Sequence, residues 1–139
     1  MCLEADKDNP LKGKYPLEFD EKGYTTCWKA YDNAYNGLYS PYYSGKIVTN
    51  GWIVSNRKSK KICGKNGDCR DFDNEISVYH GIHVYTDEII AKKDWRYSGC
   101  VVPVRCHRSQ LVAVSRIAPT AVFMKVFLKK SDFEKAIKE

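Results

Sequence analysis

The sequence predicts an α+β fold: a β-rich single domain with a mainly antiparallel, twisted sheet and two short helices, at about residues 87–94 and 132–138. Three observations lead there. Segments rich in Val, Ile, Thr, Tyr, Phe and Trp recur at short intervals from residue 23 onward, the composition of half-buried strands. The dipeptides Asn36-Gly37 and Asn50-Gly51 fall among these segments, and both suit the positive φ angles of tight hairpin turns. Helix-start signals are found at two places, each leaving room for a short helix.

One domain is expected, because 139 residues is close to the commonest domain size of about 100 to 150. Hydrophobic residues make up 43% and charged residues 29%, which permits a sizeable core and excludes a wholly disordered chain. Residues 1 to 22 carry Pro10, Pro16 and mixed charge without periodicity, and read as an irregular arm leading into a domain at 23–139. Tyr24 to Trp28 and Tyr31 begin a hairpin that turns at Asn36-Gly37. Tyr39 to Tyr43 and Gly51 to Ser55 supply further strands. Residues 56 to 70, with five cations in their first ten positions and two glycines, read as a basic surface loop.

Ile76 to Tyr79 and Ile82 to Tyr85 flank Gly81 as extended chain. Thr86 is then placed to cap a helix with Asp87 and Glu88 in its first turn and Ile89, Ile90 and Ala91 on its apolar side. Cys100 to Cys106, Leu111 to Ser115 and Ala121 to Leu128 follow as strands, the last being the most continuous apolar run. Pro103 has no N–H to donate, so its strand is expected at an edge or a bulge. Ser131 with Glu134 three residues on matches a capping box for the closing helix.

Charge narrows the range of partners. Lys and Arg total 23 against 17 acidic residues, a net +6 that favours phosphate-bearing or acidic partners. Apolar stretches such as Ala121 to Met124 fall far short of the ~20 residues of a membrane span. Met-Cys-Leu-Glu-Ala-Asp-Lys-Asp offers neither an export signal nor a myristoylation site, so a cytoplasmic protein with reduced, mostly buried cysteines is expected.

The first candidate binding group is the loop, with Arg57, Lys58, Lys60, Lys61 and Arg70 on one segment able to meet phosphates. The second is Arg105, His107, Arg108 and Arg116, at the ends of successive strands, where guanidinium forks suit phosphate or carboxylate. Tyr42 and Tyr43, within a run that also holds Tyr31, Tyr35 and Tyr39, offer rings that stack on bases or anchor an interface. Cys63, Cys69, His80 and His83 have the wrong spacing for a structural zinc site. An extended strand sets the Cα atoms of Cys100 and Cys106 about 20 Å apart on one face. No glycine-rich phosphate loop, G-x-S-x-G elbow or H-E-x-x-H helix is present, so no catalytic residue, metal or cofactor is assigned.

The order of Met1-Cys2-Leu3, Cys27-Trp28-Lys29-Ala30-Tyr31, Ser40-Pro41-Tyr42-Tyr43 and Gly81-Ile82-His83-Val84-Tyr85-Thr86, with the closing Val-Val-Pro-Val and Val-Phe-Met-Lys-Val alternations, resembles small accessory proteins of bacteriophages and prophages. The likeness covers roughly residues 23 to 130. It implies stoichiometric inhibition of a host defence system in the host cytoplasm, either by blocking a CRISPR-type nucleoprotein effector or by sequestering a signalling nucleotide, with homo-oligomerisation open. The Gly81 to Thr86 segment before a short helix also resembles the middle of ADP-ribosyltransferase-like folds, which implies a nucleotide cleft. The late strands here hold no glutamate of the kind that family uses for catalysis. A third expectation, from charge alone, is a nucleic-acid binder without sequence preference.

Overall fold

A computed structural model describes residues 3–6, 8–34, 37–39, 51–54, 71–72, 75–78, 81–94 and 99–138. Eleven strands and two helices are assigned: β1 (Leu3–Asp6), β2 (Tyr24–Ala34), β3 (Gly37–Tyr39), β4 (Gly51–Val54), β5 (Asp71–Phe72), β6 (Glu75–Val78), β7 (Ile82–Tyr85), α1 (Glu88–Asp94), β8 (Gly99–His107), β9 (Leu111–Val114), β10 (Thr120–Phe123), β11 (Lys125–Leu128) and α2 (Lys130–Lys138). The expected α+β class is the one observed. The main sheet is antiparallel, in the order β4-β11-β8-β2-β7-β10-β9 with β3 beside β2, and β1, β6 and β5 form a second sheet.

The main sheet is built on β2 and β8, which pair from Tyr24↔His107 to Asp32↔Gly99. Alternate side chains of β7, β8 and β11 face the core, as the pleat requires. Cys27 and Tyr31 of β2, the even positions Cys100 to Cys106 of β8, Ile82 and Val84 of β7, Ala121 and Phe123 of β10, and Val126 and Leu128 of β11 form one buried cluster, joined by Phe133 of α2. Phe133 meets Tyr31 edge to face, with ring centres 5.9 Å apart, so Tyr31 is a core residue.

Ala121 to Leu128 is two strands, not the single one expected. β10 pairs with β7 and β9, whereas β11 pairs with β8 and β4. Buried positions shift from 121 and 123 to 126 and 128 across Met124, so one residue more than a regular pleat is spent there. Since Met124 alone joins strands lying on opposite flanks of the sheet order, the path β11-β8-β2-β7-β10 is curled and closed by the chain itself.

Pro103 lies in a central strand rather than an edge one, opposite Trp28 of β2. β11 pairs with β8 only at Arg105 and Cys106, so Pro103 sits past the end of that pairing, where an N–H would meet no strand. The N-terminal arm is not irregular throughout. Leu3 and Ala5 are buried with Ala113 and Val122, and β1 pairs with β6 from Leu3↔Val78 to Asp6↔Glu75. Further along, Val114 N–H donates to the Pro10 carbonyl, while Leu17 and Phe19 pack on the main core.

The helix caps also differ from expectation. Asp87, not Thr86, caps α1: its Oδ1 accepts the Ile90 N–H at 2.9 Å and its carbonyl accepts the Ala91 N–H at 3.0 Å. α2 starts from Lys129, whose carbonyl accepts the Phe133 N–H, and Glu134 pairs with Lys130 at 3.8 Å instead of closing a box with Ser131. In the first hairpin Ala34 of β2 stands opposite Gly37 of β3, so Gly37 is a strand residue rather than the turn residue expected.

Lys29 is the one charged side chain among the buried described residues, 3% exposed on the face of β2 that also carries Cys27 and Tyr31. Its ammonium donates to the His83 carbonyl at 3.5 Å and lies 5.7 Å from the centre of the Tyr31 ring. Burial lowers its pKa from 10.5 to about 8. No helix among the described residues is long and apolar enough to cross a membrane.

Candidate functional site

The even positions of β8 fill the core, so Val101, Pro103, Arg105 and His107 face outward. Opposite them stand Tyr24, Thr26 and Trp28 of β2. Arg105 and His107, joined in the sequence reading, meet here around the Tyr24 ring. The Arg105 guanidinium carbon lies 4.8 Å from the ring centre, and the imidazole meets the ring edge-on at 4.7 Å. Such a cation–π contact leaves the exposed guanidinium able to bond further anions.

The Tyr24 ring is fixed by the turn that precedes it. Asp20 Oδ1 accepts the N–H groups of Lys22 and Tyr24, both at 2.9 Å, and the Gly23 N–H donates to the Asp20 carbonyl. The Tyr24 N–H bond above all, with the Lys22 N–H and the Arg105 charge, holds the Asp20 carboxyl below its ordinary pKa. Its other oxygen lies 4.0 Å from Arg105, an exposed pair of small energetic weight. Gly23 has φ +86°, and a Cβ there would stand 2.7 Å from His107 Nε2.

His107 closes this turn against the end of β8. The Ser109 N–H donates to Nδ1 at 3.1 Å, which makes Nδ1 the acceptor, so the proton sits on Nε2 and donates to the Lys22 carbonyl at 3.0 Å. Both ring nitrogens are thereby engaged within the fold. The exposed Arg108 follows, its N–H bonded to the Gly23 carbonyl at 2.8 Å.

Arg116 does not join this group. Its N–H donates to the Glu4 carbonyl, and its own carbonyl accepts the Lys14 N–H. Asp6, whose carboxyl is held low chiefly by the Asn9 and Asp8 N–H groups, also feels the Arg116 charge. Arg116 thus belongs to the arm and the β9–β10 turn. Arg57, Lys58, Lys60, Lys61, Arg70, Tyr42 and Tyr43 lie outside the described residues. So do Cys63, Cys69 and His80, three of the four residues with the zinc-like spacing.

Two clefts meet at Pro103 and Asp132 on the outer face, and Arg105 lines one of them. One, of about 240 Å³, has Trp28 and Pro103 as its floor and charged residues of α1 and α2 as its walls. The other, of about 280 Å³, is lined by Thr26, Pro103, Arg105, Phe127, Lys129 and Asp132. Pocketed ligands usually occupy about 300 to 1,000 Å³, so neither cleft encloses a whole nucleotide and a ligand here must lie along the face.

Sequence reasoning missed the residues next to Arg105. Phe127 pairs with both Arg105 and Trp52, which lines up β8, β11 and β4 side by side. Trp52 is 43% exposed and meets Phe127 edge-on at 5.2 Å, and Lys125 lies 4.5 Å over the Trp52 ring. The alternation in Gly51 to Val54 and Lys125 to Leu128 assigns these side chains to one face, but the register that joins the strands is set by the core.

The described cysteines give no support to a thiol nucleophile. Cys27, Cys100 and Cys106 are free and buried. Burial pushes the Cys100 thiol up to about 11, and the Cys27 hydrogen bond with burial pushes Cys106 up as well, so neither supplies a thiolate. Among known proteins, no family model, curated sequence or solved structure matches the chain.

Proposed function

We propose that the protein acts by stoichiometric binding rather than turnover, and that its ligand carries phosphate together with a planar base. The supporting observation is the exposed Arg105 guanidinium stacked on Tyr24 at the edge of a shallow cleft of the outer face. An arginine on an aromatic ring presents N–H forks to phosphate and a flat surface to a base, without the desolvation that a deep pocket would impose. Lys129 adds a second cation to the same face.

This chemistry fits the phage accessory proteins that the segments resemble. Either a signalling nucleotide or the nucleic acid of a host nucleoprotein defence complex presents phosphate and base together. A protein of this kind works in the cytoplasm of the host cell and inhibits by occupancy.

Native mass spectrometry of the protein purified from its natural host background tests the reading. A co-purifying nucleotide or oligonucleotide mass, lost in Arg105→Glu, is the expected result. A bare protein whose tryptophan fluorescence responds to neither adenosine monophosphate nor oligothymidylate would overturn it, as would consumption of a nicotinamide cofactor.

A further inference from the structure

We infer that the outer face of β4-β11-β8-β2 is a stacking platform for single-stranded nucleic acid, with bases placed on Trp52 and on the Tyr24–Arg105 stack. The inference rests on the binding reading above and narrows its ligand. Trp52, Phe127 and Arg105 are direct neighbours in register across β4, β11 and β8, and Arg105 stands opposite Thr26 of β2, two residues from Tyr24. Strands lie ~4.8 Å apart, so about 14 Å separates the Trp52 end of the face from the Tyr24 end. One base cannot touch both rings. A ligand that uses the whole face holds at least two linked nucleotides, with its backbone crossing the strands.

Electrostatics favours the same occupant. The cations are interleaved with the rings: Lys125 lies on Trp52 and Arg105 on Tyr24. Arriving phosphates draw these side chains off the rings or bond to them in place. The first exposes a ring to a base, and the second leaves the guanidinium plane as the stacking surface. A protein partner would be served by the exposed apolar groups, Trp52 and the 59%-exposed Val54, but gains little from cations set between aromatic faces. A duplex would present its phosphates and shield its bases, leaving the rings unused.

The test is fluorescence anisotropy with labelled oligothymidylate, against adenosine monophosphate and a duplex of equal length as competitors. Oligothymidylate should bind, with competition by the duplex much weaker. Trp52→Ala and Tyr24→Ala should each weaken binding roughly 5- to 150-fold, the range found for loss of one base–aromatic stack. Trp52→Phe and Tyr24→Phe should restore most of it, which separates stacking from any effect on folding. Arg105→Gln and Lys125→Gln should each reduce the slope of log affinity against log salt by about 0.7.

Oligothymidylate binding that is indifferent to Trp52→Ala and Tyr24→Ala would overturn the platform while leaving the phosphate-and-base reading intact. Equal affinity for adenosine monophosphate and oligothymidylate would likewise reject a linked ligand and favour a single nucleotide. Binding of neither would remove both proposals together.

Discussion

Replacing Lys29 by Met should make this protein more stable, and the gain should depend on pH. In the fold the ammonium is buried on the core face of β2, and its pKa falls from 10.5 to about 8. That difference of about 2.5 pKa units, at 1.36 kcal/mol each, corresponds to a penalty of about 3 kcal/mol on the folded state wherever the side chain must stay charged. The contacts with His83 and Tyr31 are lost in the variant, so a gain of about 1 to 3 kcal/mol is expected at pH 6.5. The sign follows from proton counting. Between about pH 8 and 10.5 the unfolded chain holds the Lys29 proton that the folded chain has released, so wild-type stability gains from this group as pH rises through that window. Below about pH 8 both states are protonated and the full penalty is present. Urea denaturation of both proteins at pH 6.5, 8 and 9.5 reads the effect, and the variant's advantage should shrink across the series. A variant no more stable than wild type at pH 6.5, with a gap that does not change with pH, would refute the reasoning.

Three further substitutions probe the local structure around the site and α1. Gly23→Ala combines a φ of +86° with a Cβ 2.7 Å from His107 Nε2, so a loss of at least about 1 kcal/mol is expected, read from the midpoint of urea unfolding. The same change should loosen the Tyr24 turn and weaken anion binding at Arg105. Asp87→Ala should cost about 1 kcal/mol through the lost cap of α1, while Thr86→Ala should cost much less, since the Ile90 N–H bonds to Asp87; thermal melts of the two variants decide the point.

The strand-rich class and most strand positions were legible because alternation in segments such as Ile82 to Tyr85 is a local property. Topology was not. Ala121 to Leu128 reads as one strand because every residue but Lys125 is apolar, and only the packing of β1 on Val122 explains why both faces of β10 are buried. The caps failed for a related reason: Thr86 and Asp87 are both good capping residues, and the path of the chain leaving β7 chooses between them. Arg105 and His107 were found from residue type and spacing. Their partners Tyr24, Phe127 and Trp52 come from segments up to about eighty residues away and are brought together by strand register, which no local pattern encodes.

The join at Met124 makes the two halves of the sheet report on each other. A strand shifted by one residue turns its whole apolar set to the opposite face. β10 and β11 share a single connecting residue, so a slip of either would drag Phe123 or Val126 out of the core and strain the other. Register is therefore fixed once for both flanks, and neither can settle before β7 and β8 are on β2. With β2 and β8 pairing residues as distant as Tyr24 and His107, closure follows long-range loop formation, which is the slow kind of folding step. Inserting one residue beside Met124 should therefore act less like a loop insertion than like a core mutation made at two places at once.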